Sequence, residues 1–443
     1  MKQTNRMRVA LALGILHAGF SVLRAADITW DHNGPDFNTA ANWDPAQVPG
    51  AGDRAIFGTA PETDPVITPN LSASVTLTGL TFLGSGYTLS SNSDISITPT
   101  STTTGGSSSW PDVGIYMNTS GTNTISAPLA YEGSGQISVT GGGTLTLAGP
   151  ITHSATLRLR NHSLSTLRLL SGNPGVTGTV NLDGGIFQIG HNEVFGTASM
   201  NAYAGDDTIV AWNGDRVIGN HIVMDTGRMV TLSGTNNLEW SGNVTVREGG
   251  GTSGWNNNGT GLLTLSGNVF LSRTDAQKTL HLGGSGAIVI SGNIADRDGP
   301  TVTRNDVSLI GTAGSSVLLT GTNTYTGNTT IGANSSLTLD EAGSLTFHIE
   351  DALHNQITGT GAATLQGMLL IDVDAVTLAE GTWNLINTAT LDASFDLAGI
   401  ELAGIAPLVK DGDTWSSGLW QFSETTGTLT RQLPPKGTFI SIN

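Results

Sequence analysis

Four close pairs of aspartate are the side chains whose type and spacing best suit them to chemistry. They are Asp206 with Asp207, Asp296 with Asp298, Asp372 with Asp374, and Asp411 with Asp413. In a structure of stacked strands, neighbouring carboxylates can bind calcium or serve as the acid and base of a glycosidase. Whether either chemistry applies depends on the residues around each pair and on metal-binding or catalytic motifs elsewhere in the sequence.

The first pair has the most enzyme-like surroundings. Asp206–Asp207 lies between Tyr203 and Trp212, and Asp215–Arg216 follows directly. Carbohydrate-active sites place carboxylates beside aromatic rings, which gives this stretch a catalytic interpretation. A solvated loop is the more common explanation of such a polar run. We therefore predict a loop here and assign no catalytic residue.

The sequence contains no motif that strengthens a metal or catalytic interpretation. His348 and His354 are the closest histidine pair after the N-terminal segment, and they lack the H-x-x-x-H spacing of a helical metal site. The calcium-binding β-helix repeat, the EF-hand loop, the nucleophile elbow, the P-loop and the dinucleotide fingerprint are all absent. We predict no catalytic, cofactor-binding or metal-binding residues. Calcium remains a possible ligand that no motif supports.

Composition excludes some partners. The 443 residues carry 35 acidic and 18 basic side chains, a formal net charge of −17. Arg158, Arg160 and Arg168 are too sparse for the basic patch that nucleic acid requires, so we expect no nucleic-acid partner. The chain has no cysteine, which is compatible with export but does not establish it. Its 60 glycines are about twice the usual share, and its 12% of charged residues is about half that of an average globular domain.

Residues 1–26 have the features of a secretory signal peptide. Lys2, Arg6 and Arg8 form a positive start, an apolar segment follows, and Ala25–Ala26 offers a cleavage point. The remaining sequence has no long apolar run, including the short tail 431–443, so no transmembrane helix is expected in the mature chain. The predicted location is extracellular or at the cell surface.

Residues 27–70 are rich in turn residues and large aromatics, which is typical of the atypical end unit that covers the first coil of a repeat protein. We predict an N-terminal β cap with Trp30 and Trp43 packed inside it. A sugar-binding site built on these two rings is the less favoured alternative.

A repeat defines the middle of the chain. The triplet Ser-Gly-Asn occurs at Ser241-Gly242-Asn243, Ser266-Gly267-Asn268 and Ser291-Gly292-Asn293, each time after a short apolar run. The triplets start about 25 residues apart, and a fixed period of this size is typical of a solenoid with one coil per repeat. We read each coil as strand, tight corner, strand.

This pattern predicts an all-β fold, a right-handed parallel β-helix in which residues 71–346 form about eleven coils. Apolar side chains would stack inside, and glycine and asparagine would supply the left-handed backbone at the corners. A flat array of β-sandwiches is the structural alternative.

One copy of the unit resembles a known family. Thr320 to Ile331, with Gly321, Asn323, Tyr325 and Gly327, is similar to the autotransporter-associated β-strand repeat of bacterial exported proteins. Ser171 to Gly190 is a looser match. The resemblance implies a β-helix of the passenger type and says almost nothing about activity.

After residue 346 the period breaks, and 347–430 resembles the small C-terminal β domain that ends such proteins. Its role would be to seal the last coil.

Two functional hypotheses remain. The first is an exported, non-enzymatic structural or adhesive protein that binds polysaccharide or other surface proteins. The second is a secreted carbohydrate-active β-helix enzyme, either a lyase or a hydrolase. An enzyme would stack charged residues at one coil position, but the positions equivalent to Glu239 are Thr264 and Val289. We therefore favour the first hypothesis.

Overall fold

The chain is almost entirely β structure. The computed structural model describes residues 26–60, 67–101, 113–162, 164–247, 252–274, 276–297, 304–391 and 395–433. Most of the predicted signal peptide and the tail beyond residue 433 lie outside these ranges. Across the described ranges, no helix has the length and apolar character needed to cross a membrane.

The N-terminal segment contains three strands and one helical turn. They are β1 (Asp27–Trp30), a 3-10 helix (Ala40–Asn42), β2 (Trp43–Asp44) and β3 (Arg54–Phe57). β1 pairs in parallel with β3, and β2 runs antiparallel along the other edge of β1. Trp30 and Trp43 are 1% and 2% exposed and meet edge to face at 4.9 Å. The rings pack inside the end of the molecule, as predicted, and are not available to a sugar.

From residue 70 onwards, short strands follow one another along the chain. The first group is β4 (Asn70–Leu71), β5 (Val75–Leu77), β6 (Gly79–Phe82), β7 (Thr88–Ser91), β8 (Ile97–Pro99), β9 (Ile115–Asn118), β10 (Thr122–Ile125), β11 (Leu129–Tyr131), β12 (Gly135–Thr140), β13 (Thr144–Leu147), β14 (Ile151–His153), β15 (Thr156–Asn161), β16 (Thr166–Leu169), β17 (Thr179–Asp183), β18 (Gly185–Ile189) and β19 (Ser199–Ala202).

The second group is β20 (Asp207–Ala211), β21 (Arg216–Ile218), β22 (Ile222–Met224), β23 (Met229–Ser233), β24 (Leu238–Trp240), β25 (Val244–Val246), β26 (Thr252–Asn257), β27 (Leu263–Leu265), β28 (Val269–Phe270), β29 (Thr279–Gly284), β30 (Ala287–Ile290) and β31 (Ile294–Ala295).

The third group is β32 (Asp306–Gly311), β33 (Ser315–Leu319), β34 (Thr322–Asn323), β35 (Thr329–Ile331), β36 (Ser335–Leu339), β37 (Ser344–Glu350), β38 (Ile357–Gly359), β39 (Ala362–Leu365), β40 (Met368–Ala375), β41 (Gly381–Asn384), β42 (Ile386–Thr388) and β43 (Gly399–Leu402). The chain ends with β44 (Val409–Asp411), β45 (Thr414–Ser417), β46 (Trp420–Ser423) and β47 (Thr428–Arg431).

Parallel pairing arranges these strands on three faces. The first face is a 13-stranded sheet from β2 to β31, continued by a 4-stranded sheet from β34 to β43. The second face is one 14-stranded sheet from β4 to β42. The third face consists of a 4-stranded sheet (β5 to β14) and a 7-stranded sheet (β21 to β39). The predicted all-β parallel β-helix is confirmed, and a right-handed path is consistent with it.

The solenoid has about 14 turns, and parallel pairing extends beyond the predicted limits of 71–346. It begins with β1 and β3 and continues to β43. The offset between stacked residues varies, from 20 between Arg168 and Gln188 to 36 between Thr88 and Thr124. Loops of different length at the corners hide the period in the sequence, but strand pairing continues past them.

Apolar side chains fill the interior in columns. Val230, Trp255, Leu282 and Leu309 occupy one position of the second face in four successive turns, and all are nearly or fully buried. Burying a side chain of this size contributes about 1.5–3 kcal/mol, so each turn is stabilised chiefly by its neighbours.

The three Ser-Gly-Asn triplets occupy one corner, between the third and first faces. A Cβ on Gly267 would lie 2.2 Å from the carbonyl oxygen of Gly242, and one on Gly292 would lie 1.9 Å from that of Gly267. Gly321 continues the column, with 2.3 Å to Gly292. The prediction of left-handed backbone is wrong here, because none of these glycines has a positive φ. Close approach of successive turns is what excludes a side chain.

The asparagines of the triplets form the second half of this corner. The Asn268 amide donates to Oδ1 of Asn243 at 3.1 Å, and the Asn293 amide donates to Oδ1 of Asn268 at 3.4 Å. The Thr322 amide completes the series, donating to Asn293 at 2.9 Å. Each asparagine side chain therefore satisfies a backbone donor one turn further along. The serines Ser241, Ser266 and Ser291 lie at the surface or half-buried beside them.

An antiparallel sheet closes the C-terminal end. Its strand order is β41-β47-β46-β45-β44. Trp383, Phe422 and Leu429 face inward and are buried, and Phe422 meets Phe395 edge to face. Within the predicted C-terminal domain (347–430), this sheet is accompanied by the last parallel turns of the solenoid.

We expect Gly267→Ala to lower the free energy of unfolding by about 3 kcal/mol, the upper end of the range for overpacked sites. Urea unfolding followed by tryptophan fluorescence measures this change. The matched control is Gly219→Ala at the same corner two turns earlier, where the nearest atom to a Cβ would be 3.8 Å away. Equal destabilisation by the two substitutions would contradict the close-approach explanation.

Candidate functional site

Asp207 is the most unusual of the predicted carboxylates. It is the first residue of β20, its side chain points inward, and it is fully buried. Oδ1 accepts a hydrogen bond from the Gly184 amide at 2.9 Å, whereas Oδ2 is buried without a hydrogen-bond partner. In the strand register it lies between Gly185 and Val230, so a carboxyl replaces an apolar side chain in this core column.

Burial raises the pKa of Asp207 to about 8. The Gly184 hydrogen bond and Arg228 oppose this shift, and the charges of Asp183 and Asp206 add to it. The carboxyl is therefore protonated at neutral pH. It has no access to a substrate, because the side chain is enclosed by the solenoid wall.

The other members of this neighbourhood point to different surfaces. Asp206 is exposed, and its Oδ1 accepts from the Met229 amide at 3.3 Å. Asp215 accepts from the amide of Asn237 at 2.8 Å and from its side chain at 2.9 Å. Each exposed carboxylate thus binds the next turn of the solenoid.

The two aromatic rings predicted to flank a site are separated in the same way. Tyr203 follows a strand of the first face and lies 5.1 Å from the Arg158 guanidinium. Trp212 follows a strand of the second face and lies 4.1 Å from that of Arg168. Both rings cover arginines of earlier turns, so they do not form a sugar platform beside Asp206–Asp207.

The second predicted pair, Asp296 with Asp298, is only half described, because Asp298 lies outside the described ranges. Asp296 is 2% exposed. Its Oδ1 accepts from the Asn305 amide at 3.0 Å and from Nδ2 of Asn305 at 3.1 Å. Its Oδ2 accepts from the Thr326 amide at 2.9 Å. This carboxylate connects two turns from inside a corner.

Asp372 and Asp374 lie on the outer side of β40. Oδ2 of Asp372 is 3.1 Å from Nδ1 of His348, its neighbour on β37. His354 instead contacts the Asn384 carbonyl through Nε2 at 3.0 Å. The two histidines therefore have different partners.

A shallow cleft of about 430 Å³ lies beside this pair on the first face. Its lining includes Thr346, Leu370, Asp372, Glu401 and Ile405. No sequence motif predicts this grouping, because His348, Asp372 and Glu401 are brought together only by strand stacking.

Asp411 and Asp413 belong to a hairpin turn. Asp411 pairs with Thr414, and Gly412 between the aspartates has φ 59°. Both aspartates are exposed. Their spacing reflects turn chemistry, since aspartate and glycine are the preferred residues of tight hairpins.

The residues that carried the family resemblance are structural. Asn323 is fully buried and donates to the carbonyls of Gly321 and Ser344, each at 3.0 Å. Tyr325 is also fully buried, and its hydroxyl lies 2.5 Å from that of Thr329. A Cβ on Gly327 would lie 2.2 Å from the Asn305 carbonyl oxygen. Asn323 and Gly327 are fixed by contacts with a neighbouring turn, whereas the Tyr325 hydroxyl bonds within its own turn.

The described parts of the chain contain no group of three or more His, Asp or Glu side chains placed to hold a metal ion. Comparison with family models, curated proteins and solved structures gave no match. The resemblance to the autotransporter-associated repeat stays a prediction, and function has to be argued from the fold and its surfaces.

We expect the wild type to lose stability relative to Asp207→Asn as pH rises from about 4 towards 8. The unfolded chain releases the Asp207 proton near its ordinary pKa of 3.8, whereas the folded chain retains it to about 8. Between these values the unfolded state binds fewer protons, so the stability difference changes by about 1.4 kcal/mol per pH unit.

Urea unfolding of both proteins at several pH values measures this slope. Asp206→Asn is the matched control at the exposed neighbour, and it should run parallel to the wild type. Parallel curves for the wild type and Asp207→Asn would contradict protonation of Asp207 in the fold.

Proposed function

We propose that this protein is an exported, non-enzymatic structural or adhesive rod that binds polysaccharide or protein partners on its outer faces. The observation that carries the proposal is the use of the predicted carboxylates by the fold itself. Asp207 and Asp296 are buried between turns, and Asp206 and Asp215 bind backbone amides of the following turn. Groups committed in this way are poorly placed to act as acid and base on a substrate.

The outer faces are suited to extended ligands. On the second face, Thr122 and Thr144, exposed and half-buried respectively, stack in register on two successive turns. Successive turns lie about 4.8 Å apart, so such a column presents hydroxyl groups at a regular spacing. Neutral polar groups in a row are appropriate partners for the hydroxyls of a polysaccharide.

Export is part of the proposal and rests on the signal-like sequence at 1–26, of which only Ala26 lies in the described ranges. We expect cell fractionation to place the mature protein at the surface or in the medium, with its N-terminus after Ala26. Full-length protein retained in the cytoplasm would contradict export. Surface retention would favour adhesion, and release would strengthen the enzyme alternative.

The enzyme alternative has one observation in its favour, the cleft beside His348. Asp372 and Glu401 both line it, and Leu370 and Ile405 supply apolar surface. Two carboxylates on a cleft are the minimum that a glycosidase requires. Nothing else in the cleft identifies a substrate, and this function therefore ranks second.

We expect the purified mature protein to release no reducing ends from a panel of polysaccharides. If turnover is observed, Asp372→Asn and Glu401→Gln test the cleft, and Asp206→Asn tests the neighbourhood that the sequence favoured. Loss of about 10²-fold or more in rate in any of these variants would identify a catalytic acid or base and overturn the structural proposal. Asp411→Asn in the hairpin turn is the matched control.

A further inference from the structure

Asparagine is followed directly by glycine at three places in the chain. The pairs are Asn33–Gly34, Asn213–Gly214 and Asn258–Gly259. Such a pair is chemically reactive, because glycine has no side chain to keep its backbone nitrogen away from the preceding carboxamide. The surroundings of each pair in the fold decide whether it can react.

The first pair is restrained through its side chain. Nδ2 of Asn33 donates to Oδ2 of Asp31 at 2.7 Å and to the Ala41 carbonyl at 2.9 Å. A Cβ on Gly34 would lie 2.9 Å from Oδ1 of Asn42, so the backbone is closely packed as well. The Asn33 carboxamide would have to break both hydrogen bonds before it could turn towards the Gly34 nitrogen.

The third pair is restrained through its backbone. The Gly259 amide donates to Oδ1 of Asn257 at 3.0 Å, and the Asn258 amide donates to the Leu232 carbonyl at 2.9 Å. Gly259 is buried, and a Cβ on it would lie 2.4 Å from the Gly234 carbonyl oxygen. The backbone nitrogen that would react is therefore hydrogen-bonded and enclosed.

The middle pair lacks both kinds of restraint. Asn213 is exposed, with φ 55°, in the corner between β20 of the second face and β21 of the third. Within the described ranges, neither the Asn213 carboxamide nor the Gly214 amide makes a hydrogen bond. Apart from its chain neighbours, a Cβ on Gly214 would have only Nη1 of Arg216 nearby, at 3.6 Å. Water therefore reaches this peptide group.

A cation lies against the same peptide group. Nη2 of Arg216 donates to the Asn213 carbonyl oxygen at 3.4 Å, and Nη1 donates to the Asp215 carbonyl at 2.7 Å. When the Gly214 nitrogen loses its proton, negative charge spreads onto the Asn213 carbonyl oxygen. A donor already placed at that oxygen stabilises the charge. The guanidinium therefore makes the Gly214 nitrogen easier to deprotonate.

We propose that Asn213 is a site of spontaneous covalent modification, at which the Gly214 nitrogen attacks the Asn213 carboxamide and the residue becomes aspartate or isoaspartate. This modification goes beyond the proposed structural function and does not depend on it.

The reaction balances with water as the only co-reactant. Hydroxide removes the Gly214 amide proton, and the nitrogen lone pair forms a bond to Cγ of Asn213. The bond between Cγ and Nδ2 breaks, Nδ2 takes a proton from water, and ammonia leaves a cyclic imide. Water then opens the imide at either carbonyl carbon. Opening at Cγ gives aspartate, and opening at the backbone carbonyl carbon gives isoaspartate.

Both products alter a corner that joins two turns. Each adds a negative charge close to Asp215, whose carboxylate accepts from the Asn237 amide at 2.8 Å. Isoaspartate also inserts the side-chain methylene into the main chain, which displaces the residues that follow. The modification therefore acts on the contact between this turn and the next.

Peptide mapping of purified full-length protein, aged at mildly alkaline pH, tests the proposal. Trypsin cleaves after arginine, so Asn213 is recovered in fragment 169–216 and Asn258 in fragment 248–273. Asn33 is recovered in the fragment that ends at residue 54. Each fragment contains one Asn-Gly pair, and the three rates are therefore measured in the same sample.

Tandem mass spectrometry should show that Asn213 is converted about tenfold faster than Asn33 or Asn258, which corresponds to about 1.4 kcal/mol in activation free energy. Both aspartate and isoaspartate should appear at position 213. Equal rates at the three pairs, or an unchanged Asn213, would overturn the proposal.

The unfolded chain is the matched control. In guanidinium chloride the hydrogen bonds of Asn33 and Gly259 are lost, so the three pairs should react at similar rates. If Asn213 kept its advantage there, local sequence would account for it and the structural argument would fail. In the folded protein, Asn213→Gln should leave fragment 169–216 unmodified, because the longer carboxamide closes a less favoured ring. Isoaspartate in that fragment of the variant would assign the reaction to another residue and contradict the proposal.

Discussion

The spacing between successive turns is the constraint on which this structure depends. Parallel strands stack about 4.8 Å apart, and at the Ser-Gly-Asn corner this leaves no room for a Cβ on Gly267 or Gly292. The same spacing lets Asn243 and Asn268 accept hydrogen bonds from the next turn. Glycine permits the approach and asparagine satisfies the backbone groups that the corner would otherwise leave unpaired. The repeated triplet is thus a requirement of stacking.

Stacking also explains why charged side chains are found inside. A corner exposes backbone amides that no strand partner reaches, and a carboxylate can accept several of them. Asp296 does this for Asn305 and Thr326, while Asp207 accepts from a single amide and is kept protonated by its surroundings. Interior polar groups therefore serve to join turns.

On the outer surface, stacking creates groups of side chains that come from different turns. Residues far apart in the sequence become neighbours whenever their turns stack, as with His348 and Asp372 or Arg168 and Trp212. Such groupings produce rows and shallow clefts along the faces. A long, regular surface of this kind suits an extended partner better than a small substrate that has to be enclosed.

The sequence alone determined the fold class, because apolar alternation and the Ser-Gly-Asn period are local signals. It also placed Glu239, Thr264 and Val289 at one position, which the register confirms. It did not predict how far the solenoid extends, since loops of variable length interrupt the period. Nor did it predict that Asp207 is buried, or that Asp296 and Asn305 share a corner. Those outcomes depend on which turn stacks on which, and only the tertiary structure sets that register.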